Sequence, residues 1–484
     1  MIRDPFPEPN AIEDQVRART FFGQLELPEG RRHAAWVEIS HREHSPSPIT
    51  CRLKYPEPLA EPYVVPYGAD RQLLFSFEPP YAGRLRIHAL GRGNFQTHEA
   101  ILYPGAYDLL DPQLSIPEGS QIHAVAHLTA KGLLLHRFNR IINQDGTIER
   151  YGQDWPLLSW THDNVEYWLH LGHESSNVLE GSNRALLLAQ RPVLRAKLVQ
   201  SNNESLAELL ERVAASLELP LILFSLLSRR TIEWFDLSLY IQTSTGERIE
   251  ARRRIEPRFF DPNDRDELPL LDEHDLGEGV FTSMLVALTE FERHTDLVRS
   301  VRYLLGSYRN DTVDTNFLLA VSAFETLINA LEAAHPMEDR LGVEWRVLLG
   351  ALRRVVRCYC RRRRLDDSVA GMLQSKLADL RRMSFTSKAR YHLQRLEVDT
   401  THLWLNYHTA VDQFAEGLAA AYRTRSALVH NTSIADLGRL ISDLARIQSL
   451  LERTVMRLLG GPKPHISEGL ADARYRSKNS PSGL

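Results

Sequence analysis

The length, composition and charge of the chain limit the classes of protein to consider. With 484 residues, of which 43% are hydrophobic and 25% charged, the chain is long enough for two or three domains of an ordinary globular protein. Three cysteines are too few for a disulfide framework, and the polar N-terminus lacks the apolar core of a secretion signal. The longest apolar run, 217–227, is interrupted by Glu218 and Pro220. We therefore expect a cytoplasmic protein without a membrane span.

The first half of the chain has the sequence pattern of antiparallel β structure. Residues 1–20 are polar and contain several prolines, which predicts a loosely held N-terminal arm. From 21 to 260, short β-rich or alternating segments are separated by turns that contain Pro and Gly. The clearest predicted strands are 35–39, 51–55, 73–77, 84–88 and 122–127, with a hairpin over 232–255 and a helical insert near 203–228. This pattern predicts an antiparallel sandwich or barrel-like sheet.

An acidic segment follows the β-rich half. Residues 261–279 carry many carboxylates with Arg265 as the one cation, and they include Pro262 and Pro269. Such a composition predicts an exposed linker between domains. The carboxylates could alternatively bind a metal ion, but their spacing matches no known metal-binding loop. We therefore expect neither a metal nor a cofactor.

The second half of the chain has helical periodicity. Helices are predicted near 280–306, 313–334, 342–364, 368–383, 402–430 and 434–459. Residues 461–484 are rich in Pro, Ser and Gly, which predicts a disordered tail. The expected fold class is therefore α+β, with a β-rich N-terminal region followed by an all-α helical bundle over 280–460.

The third predicted helix combines an apolar face with a high density of arginine. Leu348, Leu352, Val355 and Tyr359 recur at helical spacing, which predicts a buried face. The arginines would then point outward, where they could bind the phosphates of RNA. They are Arg353, Arg354, Arg357, Arg361, Arg362, Arg363 and Arg364. The alternative is a solvated helix face whose cations pair with acids elsewhere.

A second pattern, close to the end of the fifth predicted helix, carries the candidate chemistry. An apolar stripe recurs from 411 to 428 at alternating spacings of three and four residues, and Arg425 lies on it. An arginine at such a position needs a partner or a ligand, because an unpaired buried charge costs several kcal/mol. His430 follows five residues later, Asn431 could close the helix, and 433–436 resembles a capping box that opens the next helix.

The segment Tyr-Arg-x-Arg-Ser-x-Leu-Val-His at 422–430, the capped helix after it and the apolar helix at 317–327 resemble the HEPN superfamily of α-helical ribonucleases. The resemblance is to the Arg-x4-His signature of this superfamily, in particular of its ApeA-like families, and it covers about 280–460. Many HEPN proteins have Asn, Asp or His directly after the arginine, where this chain has Ser426.

This resemblance implies a metal-independent endoribonuclease in which Arg425 and His430 are catalytic. Glu325, Arg423, Ser426 and Asn431 would support them, and Glu325 would orient Arg425 by an ion pair. The family pairs two helical domains, which implies a homodimer with two Arg/His sets facing one cleft. Resemblance to ApeA-like proteins also implies anti-phage defence, with the N-terminal region as regulator or as sensor of a phage-derived trigger.

Two alternatives stay open for this site. Arg425 and His430 could instead make structural contacts at the helix C-terminus, where a cation is favourable in itself. The domain could also be a catalytically silent HEPN module that binds nucleotide, RNA or a partner protein. The bare spacing does not decide, because Arg-x(4–6)-His also occurs at 92–98 and 395–402. Glu325, correspondingly, could be an ordinary surface carboxylate of its helix.

Overall fold

The computed structural model divides the chain into two compact units, Met1–Val286 and Ala287–Leu484. Unit 1 contains antiparallel sheet and unit 2 mostly helices, which confirms the predicted fold class. The division falls inside a helix that follows the predicted acidic linker. The structure describes residues 16–26, 32–42, 48–55, 68–77, 84–95, 99–110, 114–129, 141–142, 148–149, 158–162, 164–180, 183–200, 202–257, 269–271, 275–276, 279–292, 296–309, 312–336, 342–366, 368–373, 384–406, 411–431, 436–467 and 470–471.

The described strands of unit 1 form a twelve-stranded antiparallel sheet and two short ladders. In chain order they are β1 (Val16–Glu26), β2 (Arg32–Arg42), β3 (Thr50–Lys54), β4 (Gly68–Phe77), β5 (Arg84–Phe95), β6 (Glu99–Leu110), β7 (Ser115–Ile116), β8 (Gln121–Leu128), β9 (Ile141–Ile142), β10 (Ile148–Glu149), β11 (Leu158–His162), β12 (Val165–Glu180), β13 (Asn183–Val199), β14 (Glu204–Ser205), β15 (Trp234–Gln242) and β16 (Arg248–Ile255). Each predicted strand overlaps one of these strands, and the predicted hairpin corresponds to β15 and β16.

Part of the large sheet closes on itself. The strand order β6-β3-β2-β1-β4-β5 returns to β6, because β5 also pairs with β6. On its other edge β6 pairs with β3 over 99–102 and with β16 over 106–109. Pro104, which has no backbone N–H to donate, lies between these two stretches and is in register with Leu90 of β5 on the opposite edge. One strand therefore belongs to both the closed ring and the open sheet β6-β16-β15-β8-β13-β12-β11.

Alternation of buried and outward residues explains why these segments form strands. In β2, Ala35, Val37 and Ile39 are buried while Trp36 between them is exposed. The predicted N-terminal arm is wrong for residues 16–20, because β1 begins at Val16 and pairs with β2 along its whole length. Residues 1–15 of that arm lie outside the described part of the chain.

Buried ion pairs join the strands of the open sheet. Asp236 on β15 accepts hydrogen bonds from Arg252 (2.8 Å to Oδ1) and from Arg254 (3.0 Å to Oδ2), both on β16. Burial acts to raise the pKa of Asp236, but the two guanidinium groups hold it well below its usual range. Arg253 makes two hydrogen bonds of 2.7 and 2.9 Å to Asp108 on β6, which is also buried.

The predicted helical insert is present as α1 (Leu206–Ser216) and α2 (Glu218–Ser228). Ser205 and Glu208 form a capping box at the start of α1, which explains why the helix begins there. The prediction that the whole acidic linker is exposed is wrong, because two of its residues are buried at the end of α2. Leu270 and Leu271 are completely buried, and the Leu270 amide donates to the Leu227 carbonyl over 2.6 Å. This apolar pair is buried within unit 1, and most of the acidic residues around it lie outside the described segments.

The helices described in unit 2, with α3 across the division, are α3 (Val280–Glu292), α4 (Leu297–Gly306), α5 (Val313–Ala334), α6 (Gly342–Arg363), α7 (368–373), α8 (Phe385–Arg395), α9 (Phe414–Asn431) and α10 (Leu437–Leu458). The single helix predicted over 280–306 is wrong, because Asp296 occupies the N-cap position of a separate helix, α4. Helix α8 was not predicted. It begins after Ser384, whose side chain caps the Ser387 amide.

Helix α5 is the centre of unit 2, where it contacts α4, α8, α9 and α10. Phe317, Val321, Phe324 and Ile328 form its buried face. Among the described residues it is the one helix long and apolar enough to cross a membrane. The buried core helix of a soluble protein meets the same criteria of length and composition.

Trp404 fixes the start of α9. The helix begins at Phe414 rather than at 402, because the segment before it contains turns and a two-residue ladder, β17 (Leu405–Asn406) with β18 (Val411–Asp412). The Trp404 indole is buried, packs edge-on against Phe414, and donates from Nε1 to Asp443 on α10 over 3.3 Å. A Cβ added at Gly417 would overlap this indole ring.

The two ends of α10 also differ from prediction. Its N-cap is Asp436, which accepts from the Arg439 amide, so the helix does not begin within the capping box predicted at 433–436. After α10, the prediction of a disordered tail is wrong for the described residues 461–467 and 470–471. Leu470 is completely buried, and the Ala471 amide donates to the Ser467 carbonyl over 3.0 Å. Residues 472–484 lie outside the described segments.

We expect Gly417→Ala to lower the free energy of unfolding by about 1–3 kcal/mol, the usual cost of overfilling a packed site. This loss should appear although Ala favours a helix interior by about 1 kcal/mol. Gly350→Ala on α6 is the matched control, because a Cβ there meets no atom within 4 Å, and it should stabilise the protein slightly. Denaturant unfolding measures both. Equal effects would show that Trp404 does not confine α9.

Candidate functional site

Helix α9 carries the candidate catalytic residues near its C-terminal end. Phe414, Leu418 and Ala421 form its buried stripe. Arg425 and His430 both belong to the same continuous helix, whose described part runs to Asn431. The backbone therefore places the two residues within the last two turns of one helix. The side chains of His430 and Asn431 lie outside the described part of the structure.

Arg425 lies at the border of the stripe rather than inside it. Its side chain is 36% exposed, so the expectation of a buried arginine is wrong. Its Nη2 donates to Oε2 of Glu325 over 3.5 Å, and that glutamate is 29% exposed. The predicted contact between the two residues is therefore present, and it joins α9 to the central helix α5. A bond of this length leaves most of the guanidinium donors available for another acceptor.

An aromatic cluster lies one helical turn before Arg425. The rings of Tyr422 and Phe385 are 4.5 Å apart, and Phe385 packs edge-on against Phe324 of α5 at 5.7 Å. The Tyr422 hydroxyl is buried and has no hydrogen-bond partner within the described residues. Burial and the nearby Glu325 carboxylate raise the pKa of Tyr422 well above its ordinary value, while Arg425 acts in the opposite direction.

Sequence reasoning did not identify Tyr422 or Phe385 as parts of this site. Phe385 lies 37 positions before Tyr422 in the chain, on the unpredicted helix α8. The available signal was Ser384, a helix-capping residue directly before an aromatic residue. The predicted supporting residues Arg423 and Ser426 are exposed on α9. No contact of theirs with Arg425 is described, so their supporting role stays a prediction.

The arginine-rich helix α6 is exposed, but not for the predicted reason. Its described arginines from Arg353 to Arg364 are all exposed. The predicted buried face is wrong, because Leu348 is 47%, Val355 64% and Tyr359 55% exposed. On this part of α6, Cys360 is the buried side chain. An amphipathic pattern thus occurs here on a helix that is open to solvent on most sides.

The cation density of α6 remains its main property. Arg363 lies over the Tyr359 ring, with its Cζ 6.0 Å from the centroid. Arg354 and Arg357 donate from Nε to carbonyls one turn earlier on the same helix, at 3.3 and 3.4 Å. Such contacts keep the positive charge at the surface without neutralising it, as binding to a polyanion requires.

The Arg425–Glu325 pair should contribute little to stability because both side chains are partly exposed. We expect Glu325→Gln to change the free energy of unfolding by less than about 1 kcal/mol. Asp236→Ala, which removes the partner of buried arginines, should cost about 3–5 kcal/mol and serves as the contrast. Denaturant unfolding of the two variants measures this difference. A comparable loss in both would assign the Glu325 pair a structural role.

The comparisons with known proteins do not identify a family. No family model, no curated protein and no solved structure matches the chain significantly. In the part of the chain that the structure describes, no group of three or more His, Cys, Asp or Glu side chains is placed to hold a metal ion. The resemblance to the HEPN superfamily therefore remains a prediction from residues 280–460, and the site is defined by its own geometry.

Proposed function

We propose that the protein is a HEPN-type endoribonuclease that cleaves RNA without a metal ion, with Arg425 and His430 as catalytic residues. The observation that carries this proposal is the partial exposure of Arg425 together with its long hydrogen bond to Glu325. The Arg425 side chain is partly exposed, and the hydrogen bond described for it is the 3.5 Å bond to Glu325. His430 follows on the same helix. This arrangement supports binding of a phosphate beside a titratable group.

The chemistry follows from what RNA itself supplies. The 2′-hydroxyl of the nucleotide is the nucleophile, and it attacks the adjacent phosphorus while the 5′-oxygen leaves. A base must remove the 2′-proton and an acid must protonate the leaving oxygen. Histidine can do either near neutral pH, because its ordinary pKa is about 6.5. Arginine stabilises the charge on the phosphate oxygens through its planar fork of donors.

The wider setting is part of the proposal. A homodimer would bring two Arg/His sets to one cleft, so that one histidine could act as base and the other as acid. The β-rich unit 1 would regulate the nuclease or sense a phage-derived trigger in the cytoplasm, in the manner that resemblance to ApeA-like proteins implies. The exposed arginines of α6 would bind the RNA backbone.

Cleavage of total RNA by the purified protein should persist in EDTA and leave 2′,3′-cyclic phosphate ends. Arg425→Ala and His430→Ala should each lower the rate by about 10²–10⁴-fold while the melting temperature changes little. Arg299→Ala is the matched control, because Arg299 is an exposed arginine on another helix of unit 2, α4, and this variant should cleave normally.

Other outcomes would contradict specific parts of this proposal. Loss of cleavage in EDTA with recovery in magnesium or manganese would refute the metal-independent mechanism. If Arg423→Ala abolished cleavage and Arg425→Ala did not, the catalytic arginine would be Arg423 and not Arg425. RNA binding without any cleavage, unaffected by His430→Ala, would instead support a silent HEPN module.

The arginines of α6 should determine RNA affinity rather than the chemical step. Each contact to single-stranded RNA contributes about 0.7 to the slope of log affinity against log salt. Replacing Arg361, Arg362, Arg363 and Arg364 by Gln should therefore flatten this slope by at most about 3 and leave kcat at saturating RNA nearly unchanged. Fluorescence anisotropy with a labelled oligonucleotide over a salt series measures the slope.

A matched control separates this local effect from a change in net charge. It replaces four exposed arginines scattered over other elements, namely Arg32, Arg248, Arg299 and Arg457, by Gln. The scattered variant has the same charge as the α6 variant and should keep the wild-type slope. If both variants give the same slope, α6 is a solvated helix face and not a binding surface for RNA.

A further inference from the structure

The Tyr422 hydroxyl is an unusual feature of the α9 site. It is buried, and within the described residues it forms no hydrogen bond. Folded proteins rarely keep such a group, because burying a hydroxyl without a partner opposes folding. Phenylalanine would fill the same place without this disadvantage. A tyrosine here is therefore better explained by something that its hydroxyl does than by the packing of its ring.

The ring of Tyr422 is held firmly while its hydroxyl is not bonded. Phe385 packs against the ring at 4.5 Å, with Phe324 behind it. Arg425 follows three residues later, which places it next to Tyr422 on the same side of α9. The Glu325 carboxylate interacts electrostatically with both residues. Arg425, the donor to Glu325, thus lies one helical turn after the tyrosine whose buried hydroxyl has no described partner.

The contact between Arg425 and Glu325 has a consequence for phosphate binding. A guanidinium that binds two phosphate oxygens side by side has to turn its fork away from its former partner. Glu325 would then lose its donor while remaining partly buried, and its negative charge would compete with the phosphate for the arginine. A second donor to Glu325 removes this competition. The Tyr422 hydroxyl is a donor of the right kind that is not engaged elsewhere in the described structure.

We propose that Tyr422 is a positioning residue whose hydroxyl donates to the Glu325 carboxylate when Arg425 turns to the RNA phosphate. This inference rests on the proposed function, because it assigns Arg425 to the phosphate. It adds a hydrogen-bond exchange on α5 and α9 that accompanies substrate binding. In the free protein Arg425 is the donor to Glu325, and in the complex Tyr422 takes its place.

Tyr422→Phe tests the exchange, because it removes the hydroxyl and keeps the ring on Phe385. The variant should be as stable as the wild type or more stable, since an unbonded buried hydroxyl is lost. Its kcat/KM for RNA should fall by about tenfold, the loss of one hydrogen bond to a charged group. Tyr391→Phe on α8 is the matched control and should change neither quantity. Lower stability with unchanged kcat/KM would overturn the proposal.

A double-mutant cycle shows whether Tyr422 acts through Glu325. Glu325→Gln removes the negative charge that competes for Arg425, so Tyr422→Phe should change kcat/KM by less than about twofold in that background. If Tyr422→Phe still lowered kcat/KM tenfold in the Glu325→Gln background, Tyr422 would act on a group other than Glu325. That result would overturn the exchange.

The same cycle can be measured without cleavage. A labelled RNA oligonucleotide is titrated into the full-length chain carrying His430→Ala, with and without the changes at 422 and 325. Weaker RNA binding by Tyr422→Phe only when Glu325 is present supports the exchange. If that coupling is found and the wild type does not cut RNA, the nuclease proposal fails and the exchange stands. Binding that is independent of Tyr422 overturns the exchange and leaves the nuclease proposal intact.

Discussion

The packing of Trp404 against Gly417 is the constraint on which the candidate site depends. A methyl group at 417 would overlap the indole, so α9 can approach this ring only through a glycine. The same indole donates to Asp443, which also accepts a 3.2 Å hydrogen bond from Nη1 of Arg446 within α10. One buried aromatic residue therefore sets both where α9 begins and how it lies against α10. Arg425 is two turns further along this helix, so its place follows from that contact.

The site combines a weak, partly exposed ion pair with a buried hydroxyl that has no hydrogen-bond partner among the described residues. The Arg425–Glu325 bond is long and partly solvated, and such bonds contribute little to folding. The Tyr422 hydroxyl beneath it opposes folding, yet its ring is fixed by Phe385. Sites that bind ligands commonly contain groups that are poorly satisfied without them. The stability of unit 2 comes instead from the central helix α5 and from Trp404.

Sequence periodicity predicted the elements that have one buried and one open face. The strands of unit 1 follow from the alternation of buried and outward residues, and α1 has a buried face made of Leu206, Leu209, Leu210 and Val213. Prediction from periodicity failed where the same pattern can arise from more than one structure. The stripe of α6 is amphipathic but exposed, and Val411 fits the spacing of α9 although it belongs to β18.

Long-range contacts in the site could not be read from the sequence. Arg425 and Glu325 are 100 positions apart, and their pairing was expected only because each needed an opposite charge. Tyr422 and Phe385 gave no such signal, because an aromatic residue at helical spacing indicates packing in general and no particular partner. The burial of the hydroxyl depends on α8, whose few apolar positions do not predict a helix.

The strand β6 gives unit 1 a mechanical property. Because one backbone pairs with β3 at its start and with β16 nearer its end, the ring and the open sheet cannot separate by bending a linker. A force that pulls them apart acts along β6 and must shear ladder hydrogen bonds together with the Arg253–Asp108 pair. Bonds loaded in parallel resist more than bonds opened one after another. Unit 1 should therefore yield to tension in one step, as a single rigid element.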